Sequence, residues 1–179
     1  MRLFGSLRTL ALVALVLSSR APTGSAAWKE YVNPRFAFRA CYPDWLKAGR
    51  ESDNGDGRIF TDKFGGEMRV WGSYGTLVLI NGKEEMSDDA PAETVIRQAS
   101  DYEAGSLSRI TYRTVRHNWY ALSGRSKGKT VYLKTVLADD RWITLRLTYP
   151  ISTAHQWNPV VKHIASCLQA LPLETATDI

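Results

Sequence analysis

Residues 108–149 constrain the fold of this chain more than any other stretch. They hold four runs rich in β-branched and aromatic residues, SRITYRTV, NWYALSG, KTVYLKTVLA and RWITLRLTY. Each run alternates with a period of two, which is typical of a strand with one buried face. The connections at 117–118, 125–128 and 139–140 are too short for a crossover helix, so successive strands must pair antiparallel. The stretch predicts a four-stranded antiparallel meander.

Each predicted strand has an apolar side and a mixed side. The mixed sides carry basic and aromatic residues, namely Arg109, Arg113, Tyr132, Lys134, Trp142 and Arg146. Cationic groups beside aromatic rings suit an acidic peptide, a carboxylate or a sugar, so these six residues are the predicted ligand-binding site. The alternative is a solvated sheet face, or a face covered by the helix that begins at Pro91, with the arginines emerging at its rim.

Two helices are predicted to pack on the sheet. After Pro150 an apolar stripe recurs at helical spacing, formed by Trp157, Val161, Ile164, Leu168 and Leu171. Asn158 is the predicted cap of this helix and Pro159 lies in its first turn. The helix from Pro91 ends near Gly105 and has one apolar face, formed by Val95, Ile96, Ala99 and Tyr102.

The first half of the chain adds shorter elements. In order they are an alternating strand at 35–42, a helical turn at 44–49, a turn cluster at 52–57, strands at 58–61 and 67–73, a strand or buried helical turn at 76–80, and a loop at 81–89. Strands and helices in this order predict an α+β fold, with a mainly antiparallel sheet packed with helices.

The N-terminus resembles a secretory signal. Residues 1–27 combine the basic Arg2 and Arg8, an apolar run at 10–17 and the small residues 25–27, so cleavage is expected before Trp28. The apolar run is shorter than the roughly 20 residues of a membrane-spanning helix. We expect a periplasmic or secreted protein with no membrane span after cleavage, one domain at 28–173 and a frayed tail at 174–179.

The charge of the mature chain argues against nucleic acid as a partner. The predicted signal holds three of the 23 basic residues and none of the 18 acidic ones, so 20 basic residues remain and the formal charge falls from +5 to +2. The basic isoelectric point therefore owes much to the targeting segment.

Two cysteines are present, Cys41 and Cys167. Export to an oxidising compartment favours a disulfide between them. The alternative is two unpaired thiols, each behaving as a small apolar residue.

No motif indicates a metal, a cofactor or a catalytic site. Residues 52–57 partly resemble a calcium loop, but the final ligand position is occupied by Lys63, so a turn is the better interpretation. Residues 124–130 have three residues between their glycines where a phosphate-binding P-loop has four. The three histidines lack the paired spacing of a zinc site. A catalytic Cys41 with His163 as base would require an unpaired thiol.

The chain resembles the small exported bacterial domains grouped with the DcrB and PsbP-like α/β sandwich proteins. The resemblance rests on RFAFRACYP, SDNGDGRIF, EMRVWGS, GKTVYLKTVLADDRWITLRLTYP and NPVVKHIASCL. At the level of pattern and strand order it covers nearly the whole mature chain. It implies an antiparallel sheet between helical layers. It carries over no catalytic residue, because these families include accessory and assembly subunits.

These observations lead to an expected function. We expect an exported, non-catalytic binding or accessory domain of the bacterial envelope whose partner is a protein or an envelope component. Two alternatives are a periplasmic immunity or inhibitor protein, and a small hydrolase that uses Cys41 or an unrecognised carboxylate pair.

Overall fold

A computed structural model of the chain describes residues 26–75, 77–80, 83–86 and 90–173. Most of the predicted signal peptide and all of the predicted tail lie outside these residues, and both stay predictions. The elements are β1 (Trp28–Asn33), β2 (Phe38–Pro43), β3 (Lys47–Glu51), β4 (Gly57–Thr61), β5 (Glu67–Tyr74), β6 (Leu77–Ile80), β7 (Lys83–Met86), α1 (Ala92–Gly105), β8 (Arg109–Val115), β9 (Trp119–Ser126), β10 (Lys129–Ala138), β11 (Arg141–Pro150), α2 (Ala154–Cys167) and β12 (Gln169–Ala170).

The described residues form a mixed α/β structure of mostly antiparallel sheets with two α-helices. The described strands form a seven-stranded sheet in the order β3-β4-β5-β11-β10-β9-β8, a three-stranded sheet β1-β2-β12, and the hairpin β6-β7. The four strands predicted between Ser108 and Tyr149 pair antiparallel in chain order. They are one part of the larger sheet rather than a sheet of their own, because β5 pairs with β11 along its length.

The central strands of the large sheet are covered on both sides by other elements, whereas the edge strands β3 and β8 are largely exposed. On the α1 side, a cluster joins α1 to β9, β10 and β11 and contains Val95, Ile96, Ala104, Tyr120, Leu122, Leu133 and Trp142. On the α2 side, a larger cluster joins α2 and the small sheet to β4, β5 and β11, and includes Phe38, Phe60, Met68, Leu145, Leu147, Trp157 and Ile164.

The apolar sides of β10 and β11 face opposite sides of the sheet. Residues directly opposite each other in an antiparallel pair share a side. Leu133 lies opposite Arg146, and Lys134 lies opposite Leu145. The expectation of one shared mixed side is therefore wrong: each strand sends its apolar residues to a different core, which only a sheet covered on both sides permits.

Several first-half predictions need correction. The segment predicted as a helical turn at 44–49 contains the start of β3, which pairs with β4. The ambiguous segment at 76–80 contains strand β6, and the predicted loop contains its partner β7. These strands are short and lack clear alternation, so pairing with a neighbouring strand decides their structure where the local sequence does not.

Both helices differ in detail from the sequence prediction. Trp157 and Ile164 are buried in α2, as the stripe predicts, but the helix begins at Ala154, and Pro159 lies inside it. A 3-10 turn at Ile151–Thr153 leads directly into α2, so the helix starts before Asn158. In α1, Tyr102 is 82% exposed and Ser100 is buried in its place.

The predicted disulfide pair is brought together at the junction of the small sheet and α2. Cys41 in β2 and Cys167 at the end of α2 lie at disulfide distance, with their Cα atoms 5.6 Å apart. Within the described ranges, neither helix is long and apolar enough to cross a membrane.

Candidate functional site

The structure divides the six predicted site residues between the two sides of the large sheet. On the α1 side lie Arg113, Trp142 and Arg146; on the α2 side lie Arg109, Tyr132 and Lys134. The prediction of one six-residue site is therefore wrong in its geometry. Whether the residues on either side bind a ligand stays a prediction.

The three residues on the α1 side connect α1 to the sheet. The Arg113 guanidinium pairs with Asp101 and donates from Nε to Ser100 Oγ at 3.1 Å. Arg146 Nη1 lies 3.5 Å from Glu103 Oε2. Trp142 is buried against α1. This side therefore matches the alternative stated above, in which the helix that begins after Pro91, α1, covers the sheet face and the arginines lie at the rim of the helix.

The three residues on the α2 side lie within a larger surface that we call the basic-aromatic surface. In the pairing of β8 with β9, Arg109 lies opposite Arg125. Ser123 of β9 lies between Tyr112 of β8 and Tyr132 of β10. The backbone N–H of Arg116 donates a hydrogen bond to the Trp119 carbonyl oxygen. The surface comprises Arg109, Tyr112, Arg116, Trp119, Arg125, Tyr132 and Lys134. Helix α2 packs against β2, β10 and β11. Arg109 and Tyr112 on the edge strand are exposed, and Tyr132 and Lys134 are half-buried.

The positive charge of this region has little compensation within the chain. Residues 104–138 contain seven basic residues and no acidic residue. Among ion pairs between described residues, Arg113 is the one member of the seven that has an acidic partner. Arg109 and Arg125 are directly opposite, and like charges in that position destabilise a sheet. A bound anion would offset this repulsion.

Hydrogen bonds orient two of the cations without neutralising them. Arg125 Nη1 donates to Thr130 Oγ1 at 2.5 Å, and Lys134 Nζ donates to the carbonyl oxygen of Ala165 at 2.7 Å. Two cations also lie by the Trp119 ring, with Arg116 Cζ 5.9 Å and Lys134 Nζ 5.6 Å from its centroid. Such contacts hold the side chains in place while their charges stay available to a ligand.

Burial changes the acidity of two groups on the surface. It lowers the pKa of Lys134, because desolvation disfavours the ammonium form. Burial, followed by the influence of Tyr112, raises the pKa of Tyr132 to about 12. Tyr132 therefore remains a neutral hydroxyl near neutral pH, and an anion beside Lys134 would favour its charged form.

A cleft of about 540 Å³ lies at the opposite end of the large sheet. Its lining includes Arg50, Ser52, Asp56, Ile59, Arg69 and Trp71. Arg50 pairs with Asp53 at 2.7 Å, and Arg69 pairs with Glu67 at 3.4 Å. Because these cations have acidic partners, the cleft offers an anion less uncompensated charge than the basic-aromatic surface.

The turn beside this cleft is the segment that resembles a calcium loop. The Asp56 carboxylate accepts hydrogen bonds from Ser52 Oγ at 2.5 Å and from Asn54 Nδ2 at 2.9 Å. The Ser52 hydroxyl oxygen also accepts from the Gly57 backbone at 3.0 Å. These side-chain oxygens accept hydrogen bonds from within the turn, as expected if the segment is a turn rather than a calcium loop.

The disulfide bears on the proposed thiol enzyme. Cys41 is bonded to Cys167, so its sulfur is not free to act as a nucleophile in this structure. The candidate base, His163, packs against Trp28 with ring centroids 3.8 Å apart. No group of three or more metal-ligating side chains occurs among the described residues.

Comparison with known proteins gives a fold but no family. No family model and no curated protein matches the chain. The solution structure of cyanobacterial PsbP (CyanoP) from Synechocystis sp. PCC 6803 matches with a TM-score of 0.51 at 16% identity, over 86% of this chain and 98% of that one. The chain has a PsbP-like fold. The Ran-binding protein Mog1p from Saccharomyces cerevisiae matches with a TM-score of 0.50 at 10% identity, over 84% of this chain and 98% of its own.

On this PsbP-like fold, sequence reasoning missed four members of the basic-aromatic surface, namely Tyr112, Arg116, Trp119 and Arg125. The absence of acidic residues throughout 104–138 was a readable signal for them. This absence identifies β8, β9 and β10 as one basic region, and it can be read without knowing on which side of the sheet each residue lies.

Proposed function

We propose that this protein is an exported, non-catalytic binding domain of the bacterial envelope, which recognises an acidic segment of a partner protein. The observation that carries the proposal is the basic-aromatic surface, in which four cations and three aromatic rings share one side of neighbouring strands, and none of the four cations has an acidic partner among the described residues. Export and kinship with DcrB proteins belong to the proposal and rest on the sequence patterns described above.

A carboxylate from a partner would compensate the repulsion between Arg109 and Arg125. Keeping Arg109 opposite Arg125 costs folding free energy, and the described part of the chain provides no carboxylate to reduce that cost. A partner carboxylate removes the repulsion and accepts charge-assisted hydrogen bonds from the planar guanidinium groups. The aromatic rings add apolar contact with the aliphatic parts of a bound peptide.

The basic-aromatic surface contains aromatic rings as well as cations. A peptide can contact both, whereas a simple anion would use only the cations. Mog1p is a Ran-binding protein, but an identity of 10% reflects the fold alone. The proposal therefore rests on the surface of this chain.

The test is a titration of a fluorescent Glu-rich peptide with the mature protein, followed by anisotropy. We expect Arg109→Glu/Arg125→Glu to weaken binding at least tenfold, about 1.4 kcal/mol. The matched control, Arg50→Glu/Arg69→Glu, makes the same change in charge at the cleft and should alter binding less than twofold. Binding should also weaken as ionic strength rises.

Three results would overturn the proposal. Equal loss in both variants would reduce the interaction to net charge. Loss in the control alone would move the site to the cleft. Binding to heparin or anionic vesicles but not to the peptide would reject a protein partner. Export is tested separately by sequencing the N-terminus of the protein from an expressing bacterium; we expect Trp28, and an uncleaved cytoplasmic protein would refute export.

A further inference from the structure

Strand β8 is the last strand at one edge of the large sheet. Among the described strands it pairs with β9 alone and lies at the end of the strand order. Residues 109–113 are all exposed, with Ile110 at 44% and Tyr112 at 50%. An unpaired strand edge presents backbone donors and acceptors to which another strand can add.

The register shows which backbone groups are available. The Arg116 N–H donates to the Trp119 carbonyl at 2.8 Å, so Arg116 points its backbone groups toward β9. Because these directions alternate along a strand, Val115 and Arg113 point theirs outward. The outward carbonyl oxygen of Val115 already accepts a hydrogen bond from Arg116 Nη1 at 2.9 Å, so the free group of Val115 is its N–H. A bulge interrupts the ladder between Ile110 and Tyr112. The regular free edge is therefore Tyr112–Arg116.

The charges beside this edge select an acidic partner. Arg109 and Tyr112 lie on the α2 side of β8, and Arg116, the residue after the strand, lies by the Trp119 ring of the same basic-aromatic surface. On the α1 side, Asp101 already neutralises Arg113. The uncompensated charge thus lies on one side of the edge. An extended peptide places alternate side chains on one side, about 6 to 7 Å apart.

We infer that an extended acidic segment of a partner protein adds to the large sheet as an eighth strand beside Tyr112–Arg116, with alternate carboxylates facing the basic-aromatic surface. This inference rests on the proposed function. Main-chain hydrogen bonds to Arg113 and to the N–H of Val115 hold the segment, and the carboxylates provide selectivity.

The experiment compares three peptides that have the same side chains, with Glu at every second position. One is unmodified, the second is N-methylated at its Glu residues, and the third is N-methylated at the residues between them. Along a strand, the N–H groups of alternate residues point to opposite edges. One methylated peptide therefore keeps its donors toward β8, and the other loses them.

We expect one methylated peptide to bind within about threefold of the unmodified peptide and the other to bind at least tenfold more weakly. Amide hydrogen exchange at Arg113 and Val115 should slow in the complex, whereas exchange at Thr114, which already bonds toward β9, should not change. Equal binding of both methylated peptides, with unchanged exchange at Arg113 and Val115, would refute strand addition but leave the proposed function intact. Failure of the unmodified peptide to bind better than its Gln counterpart would refute both.

Discussion

Removing the disulfide should lower the free energy of unfolding of this protein by several kcal/mol. The bridge joins Cys41 in β2 to Cys167 at the end of α2 across a sequence separation of 126 residues. It therefore closes nearly the whole described domain into one loop. The change we consider is Cys41→Ala with Cys167→Ala, which removes the cross-link and leaves small apolar side chains.

The magnitude follows from the chain entropy of the unfolded state. A loop of this length loses about 16.5 cal/mol/K of closure entropy when it is cross-linked, which corresponds to about 5 kcal/mol at 25 °C. Domains of this kind have unfolding free energies of about 5 to 15 kcal/mol, so the bridge supplies a large share of the total. With a urea dependence of about 2 kcal/mol per molar, the midpoint should fall by about 2.5 M.

The assay is equilibrium unfolding in urea, followed by tryptophan fluorescence, in oxidising and in reducing buffer. We expect the wild type to lose most of the 5 kcal/mol on reduction and the double variant to show no dependence on redox conditions. Each curve should be fitted with its own slope, because a cross-linked unfolded chain exposes less surface. A difference below about 1 kcal/mol between oxidised wild type and the variant would refute the entropic argument.

Three further predictions concern single side chains. Trp157 is fully buried, stacks on Tyr149 and donates its indole N–H to Asp62 at 2.9 Å, so Trp157→Ala should cost about 3 to 5 kcal/mol in urea unfolding; a loss below 1 kcal/mol would contradict this packing. Arg141 is buried and donates to three backbone carbonyl oxygens, so Arg141→Met should cost about 3 kcal/mol or more, and Arg141→Lys should recover only part of it; full recovery by lysine would show that charge alone matters. Burial raises the pKa of Tyr120 to about 12 from 10 in the unfolded chain, so its contribution is complete below about pH 10 and is lost as the pH rises through 12. Between about pH 10 and 12, the free energy of unfolding of Tyr120→Phe should therefore fall less than that of the wild type, and parallel losses would contradict this.

Period-two patterns in the second half of the chain predicted strands that pair antiparallel in chain order, because alternation and short connections are local properties. The same patterns could not predict β3 or β7. These short strands are stabilised by partners that the local sequence does not reveal.

The candidate site shows the same limit. The sequence identified Arg109, Tyr132 and Lys134 as part of a basic and aromatic region, but grouped them with Arg113 and Arg146. Residue composition indicates which strands are basic, but the side on which a residue lies depends on its register with the neighbouring strand. Sequence separation alone does not give that register across the bulge in β8.

Residue type and local spacing are sufficient to predict the strand-rich class, the two described helices, the pair of cysteines and the basic character of the β8–β10 region. The covering of the central strands on both sides, and the division of the predicted site residues between those sides, depend on tertiary packing. Burial on a particular side comes from the layer that packs there, and that layer is contributed by residues distant in the chain.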